Sequence, residues 1–147
     1  MKLQDEYTFD ADIEKVWDCI LAGDALAAII PGCEELTQAA PGEYEAVVMV
    51  NMFLFKSRLD VQIKIIERHD PDFCHFLGQA AGELGEMYVE GTFRLTEAGG
   101  KTRLKYEAQF EPHGTLGKMA ERVIGKSGQE KIRESMRELE DKIKGAA

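Results

Sequence analysis

The sequence predicts an α+β fold, an antiparallel sheet of six or seven strands with a long C-terminal helix laid over one face. Three observations lead there. From Thr115 to Lys144, residues Leu116, Ala120, Val123, Ile124, Gly128, Ile132, Met136, Leu139 and Ile143 recur at a period of three and four, with charge on the other faces. That is the pattern of one amphipathic helix of about eight turns. Upstream, short runs of alternating apolar and polar residues are separated by tight turns, as in an antiparallel meander. A sheet wet on one face needs its apolar face covered, and the helix is the available cover.

The elements follow in order. Leu3 to Phe9 alternates, with Leu3, Tyr7 and Phe9 on one face and Lys2, Gln4, Glu6 and Thr8 on the other. Asp10 and Asp12 offer helix starts, and Ile13, Val16, Trp17, Ile20 and Leu21 continue at helical spacing until Gly23. A second short helix spans Asp24 to Ile30 and stops at Pro31. Ile29 to Leu36 reads as a turn into the sheet. Glu43 to Asn51 puts Tyr44, Ala46, Val48 and Val50 on one face. Lys56 to Ile66 alternates most cleanly, Leu59, Val61, Ile63 and Ile65 against Arg58, Asp60, Gln62 and Lys64. After the Asp70-Pro71-Asp72 turn comes a strand from Phe73 to Gln79 whose phase the pattern leaves open, then a glycine-rich stretch from Gly78 to Gly85. Met87, Val89, Phe93 and Leu95 mark the next strand, Gly99-Gly100 a turn, and Leu104, Tyr106, Ala108 and Phe110 the last strand. Pro112 and Gly114 break the chain, Thr115 caps the long helix and Gly145 ends its pattern.

Composition bounds the function. A chain of 147 residues, 44% hydrophobic and 31% charged, reads as one domain over 1–147 with a real core. The net charge of −9 argues against nucleic acid as a partner. It is uneven: from Gly114 through Lys144 eight basic residues meet six acids, and the rest carries −11. Cys19, Cys33 and Cys74 are odd in number and fit no zinc or redox spacing, which points to reduced thiols in the cytoplasm. The first residues lack the apolar core of a signal peptide, and no run approaches the ~20 apolar residues of a membrane span.

Two local features stand out. Gly125, Ser127 and Gly128 interrupt the helix stripe, although each glycine costs about 1 kcal/mol against alanine. They serve either close packing or a kink, or else they leave volume for a ligand between helix and sheet. Met52-Phe53-Leu54-Phe55 falls where the periodicity requires a turn yet holds no Gly, Pro or Asp. Leaving such residues wet forgoes roughly 1.5–3 kcal/mol of burial each. Either the tip folds over a cavity mouth, or the strands run further, or it contacts a partner or membrane.

Catalytic chemistry finds no constellation. Cys33 follows a proline-glycine turn, but His69, His75 and His113 are distant in sequence and no activating base is apparent. Cys74 and His75 are neighbours on a strand and so face opposite sides. No His, Cys or acid cluster has metal-ligand spacing.

The order strand, two short helices, strands, long helix is that of the START-like helix-grip fold. Phe9-Asp10-Ala11, Val16-Trp17 and Ile30-Pro31-Gly32-Cys33-Glu34 resemble the family of the carbon monoxide dehydrogenase G subunit, and the similarity continues through Glu43-Tyr44-Glu45-Ala46, Gly91-Thr92-Phe93 and Thr102-Arg103-Leu104-Lys105-Tyr106. The resemblance implies a curved sheet wrapped round the helix with an apolar cavity between them. It also implies an accessory role beside a molybdenum hydroxylase-type enzyme, in membrane recruitment or quinone contact. Relatives tend to have a Gly-Pro turn where this chain has Asn51 to Phe55, and many continue past the domain into an apolar tail, whereas this sequence ends at Ala147.

The expectation is therefore a non-enzymatic protein holding a lipid or quinone-like molecule, with no required cofactor. Its expected walls are Trp17, Ile30, Val61, Ile63, Met87, Val89, Phe93, Tyr106, Val123 and Ile124, with Gly128 leaving room and Tyr106 and Ser127 as the orienting polar groups. The alternatives are a polyketide cyclase- or dehydratase-like enzyme using the same cavity, and an interaction module working through Met52, Phe53, Leu54 and Phe55.

Overall fold

The computed structural model describes residues 2–22, 30, 32–51, 54, 56–118 and 126–145, with backbone only at 51, 126 and 127. β1 (Lys2–Phe9) shows the expected alternation, Leu3 and Phe9 buried and Gln4, Glu6 and Thr8 exposed. In α1 (Ile13–Leu21) the apolar stripe buries Val16, Trp17 and Ile20. The Asp12 carbonyl accepts its first hydrogen bond from the Val16 amide at 3.1 Å. Of the short helix expected over Asp24 to Ile30, only Ile30, in a bend, falls within the described residues.

Six further strands follow: β2 (Cys33–Ala40), β3 (Glu43–Asn51), β4 (Lys56–His69), β5 (Phe73–Gly82), β6 (Gly85–Ala98) and β7 (Lys101–Pro112). The spatial order is β1-β7-β6-β5-β4-β3-β2, and every pairing is antiparallel. β1 and β2 therefore lie at opposite edges although they are consecutive in the chain. β2 replaces what the sequence reads as a turn through Leu36. As an edge strand it is partly wet on both faces, and two register shifts against β3 destroy the two-residue period. The phase of β5 is settled by Cys74 and Ala80, which turn inward and are 1% and 4% exposed. In the next strand, Gly91 sits beneath the ring of Phe76, where any Cβ would collide.

A helical turn at 115–118 comes before α2 (Lys126–Gly145), whose inward residues Met136, Leu139 and Ile143 are buried as the periodicity requires. α1 packs on β6, β7 and α2, and α2 on β1. Three buried clusters result, the smallest being Leu3 with Met87, Tyr106, Phe110 and Ile132 packed against it. Of the other two, the larger joins Phe9, Val16, Trp17, Ile20, Cys74, Phe93, Leu95, Leu104, Met136, Leu139 and Ile143. The smaller joins Val50, Leu59, Ala80 and Leu116 toward the other end of the sheet. Thr102, fully buried, donates its hydroxyl to the Ala11 carbonyl at 2.7 Å and pins the turn before α1 to β7.

Candidate functional site

Between the two larger cores the inward face of the sheet carries side chains that are only partly buried: Val61 and Met87 border the smaller core, Met87, Tyr106 and Phe110 pack around Leu3, and Ile63 and Val89 belong to no cluster among the described residues. Val61 and Ile63 on β4, Met87 and Val89 on β6, and Tyr106 and Phe110 on β7 point inward by strand alternation, yet each is only partly buried. Gly78, in register between Ile63 and Val89, adds no side chain there. By contrast Leu59 and Leu104, on the same face of the same sheet, are 2% and 1% exposed. This band contains five of the residues expected as walls: Val61, Ile63, Met87, Val89 and Tyr106.

The other expected residues divide. Trp17 and Phe93 belong to the larger closed core, their rings 5.7 Å apart, and form the end of the band rather than its open part. Ile30 is partly buried in its bend, and Gly128 is buried on α2. Val123, Ile124, Met52, Phe53 and Phe55 lie outside the described residues, as does the side chain of Ser127; Leu54 is 85% exposed.

Polar groups are few on the inward face. The Tyr106 hydroxyl is buried with no hydrogen-bond partner among the described residues. Burial first, and then the charge of Asp5, push it up to about 12, against the opposing effect of Arg133, so it stays a protonated donor at neutral pH. Asp5 shares the inward face of β1 with Leu3 and Tyr7, a placement that its charge disguises in the sequence. Arg133 of α2 reaches it with Nη2 at 2.7 and 2.6 Å and Nε at 3.1 Å. Burial would raise the Asp5 carboxyl, but hydrogen bonds from Arg133 and the Glu6 amide, with the Arg133 charge, hold it below its ordinary value. Beside this pair, Gln129 donates to the Gln4 carbonyl at 3.3 Å. Helix α2 is thus tied to edge strand β1 next to Tyr106.

At the far end of the larger core, Arg68 grips Asp70 with two hydrogen bonds of 2.5 and 2.8 Å, and its guanidinium lies 5.8 Å from the Trp17 ring centroid. Those hydrogen bonds, with a smaller contribution from the Trp17 indole, hold the Asp70 carboxyl low. The indole Nε1 nonetheless closes no bond of good geometry. The thiols are poor nucleophiles at neutral pH. Burial raises Cys33, which donates to the Glu35 carbonyl at 3.3 Å, and pushes Cys74 to about 11. Among the described residues no group of three or more His, Cys, Asp or Glu could hold a metal.

A groove of about 850 Å³ lies on the opposite, solvent face of the sheet. Register places Glu43, Lys64, Leu77, Glu90 and Gln109 along one wall and Glu45, Gln62, Gln79, Tyr88 and Glu111 along the other. The backbone of Tyr44, Ile63, Gly78, Val89 and Phe110 is its floor. Ile63 and Val89 thus separate two different spaces, the outer groove and the inward apolar band.

No helix among the described residues is long and apolar enough to cross a membrane. The fold is shared with solved structures. A conserved protein from Geobacillus kaustophilus superposes with a TM-score of 0.88 at 20% identity, over 99% of this chain and 97% of that one. A Streptomyces aromatase/cyclase gives 0.69 at 16% identity, over 100% and 98%. Norcoclaurine synthase from Thalictrum flavum gives 0.63 at 15%, over 95% and 92%. These likenesses establish the helix-grip fold. No curated protein sequence matches the chain. The sequence profile of the carbon monoxide dehydrogenase G subunit (CoxG) matches residues 6–144, nearly the whole chain, and the protein belongs to that family.

Proposed function

We propose that this protein holds a hydrophobic small molecule, lipid- or quinone-like, between its sheet and helices, and that it does so as a binding protein rather than an enzyme. The observation that carries this reading is the band of partly buried apolar side chains between the two larger cores, with Ile63 and Val89 at its centre. Apolar surface left unmatched forgoes about 25 cal/mol per Å². A ligand lying on Val61, Ile63, Met87 and Val89 recovers it, and Tyr106 offers one neutral donor to fix orientation. The family name supports a place beside a carbon monoxide dehydrogenase; that the partner is a molybdenum hydroxylase-type enzyme met at the cytoplasmic face of the membrane is part of the proposal.

Native mass spectrometry with lipid extraction on freshly purified protein tests the reading: an extractable apolar ligand is expected, and protein that carries none and takes up no apolar fluorescent probe refutes it. Gly128→Leu is expected to fill the space beside α2 and abolish probe uptake. Overpacking of this kind costs about 1–3 kcal/mol, so a folded variant with unchanged uptake removes Gly128 from the site. Leu54, 85% exposed, supports a contact made by the 52–55 tip with a membrane or partner. Phe53→Ser/Phe55→Ser should lower recovery in liposome flotation or pull-down. Equal recovery together with a lower Tm assigns the tip to the core instead.

A further inference from the structure

We propose that the groove on the solvent face of the sheet receives an extended basic segment of a partner protein, seating an apolar side chain between Leu77 and Tyr88 with lysine or arginine on either side. Leu77 on β5 and Tyr88 on β6 are 41% and 39% exposed, and among the described residues they are the large apolar side chains of the groove walls, the small Ala39 lining it at the β2 end. They stand on opposite walls of neighbouring strands, diagonal to one another, where long side chains reach a common neighbour. Tyr88 is preset: its hydroxyl donates to Glu86 at 3.1 Å, and its ring meets His113 edge-on at 5.8 Å.

Charge selects the occupant. Glu43 and Glu45 close the β3 end, Glu111 closes the β7 end, and Glu90 stands beside Leu77. The only lysine in the walls, Lys64, lies 3.9 Å from Glu43. Five strands at about 4.8 Å spacing make the groove roughly 20 Å long, which matches about six extended residues. A cationic segment with one central apolar residue therefore meets carboxylates at both ends and apolar surface in the middle. The same carboxylates repel phosphate-rich surfaces, and a second copy brings a net charge of −9 of its own. The site is independent of the inward band, and its test does not depend on any ligand held there.

The probe is a fluorescein-labelled peptide of about nine residues with arginines flanking a central tyrosine, titrated against the full chain by anisotropy. Its counterpart with glutamates in place of the arginines is expected not to bind. Binding of the arginine peptide should weaken about tenfold between 50 and 500 mM NaCl, and about tenfold in Leu77→Ser/Tyr88→Ser with Tm unchanged. Glu45→Gln/Glu111→Gln, both exposed positions, should weaken it comparably and carries the test if the first variant unfolds. Equal binding of the two peptides, or wild-type affinity in either folded variant, overturns the proposal. So does displacement by spermidine at the peptide's own potency, which makes the groove a site for small polycations.

Discussion

Asp5 is the charged member of an otherwise apolar row, Leu3, Tyr7 and Phe9 being its companions on the inward face of β1, and its side chain is 18% exposed. It persists there because Arg133 answers it, so the ionised form is the one the fold favours. The carboxyl titrates below its ordinary 3.8 in the folded protein. The pair's contribution is then complete above about pH 4 and disappears as pH falls through the lowered value, where folded and unfolded states hold the proton alike. Asp5→Asn is expected to lower Tm by a few degrees at pH 7, with the gap to wild type closing as pH falls below the ordinary carboxyl value. Paired thermal melts across that range check it, and a gap that persists in acid would mean that packing rather than charge is responsible. None of this was legible in the sequence. Asp5 and Arg133 each look like solvated charges, and only the fold brings them together.

At the scale of elements, legibility followed wetting. Lys56 to Ile66 could be phased residue by residue because β4 is dry on one face and wet on the other. Met136, Leu139 and Ile143 announced α2 for the same reason. β2 was missed because an edge strand with two register shifts carries no alternation to read, and β5 could not be phased because Leu77, on its wet face, is as apolar as Phe76 on its dry one. The site was legible only in part. Periodicity shows that Val61, Phe93 and Trp17 all turn inward, but whether another side chain meets them depends on what packs opposite. Trp17 and Phe93 are met by the α1–α2 core, and Val61 is not fully covered. The outer groove was invisible, since its walls are polar residues that any wet face would carry until register aligns them in two rows.

For the whole molecule, the placement of β1 and β2 at opposite edges has a consequence in time. β2 to β7 add to one another in chain order, each strand pairing with the one just made. β1 cannot join them, because Leu3 pairs with Ala108 and Phe9 with Thr102. At roughly 5–20 residues per second, synthesis leaves β1 waiting on the order of 5–20 s for β7, the strand it pairs with. Unpaired strands invite pairing with other chains, and charge is the usual protection; Lys2, Asp5 and Glu6 supply it here. Ribosome-stalled chains that end before Lys101 are expected to be cut by protease within residues 2–9, and chains carrying β7 free of the exit tunnel to be protected there. Protection in the shorter chains would mean that α1 shelters β1 before its partner exists. β1 is made before the other strands described and is among the last to be paired.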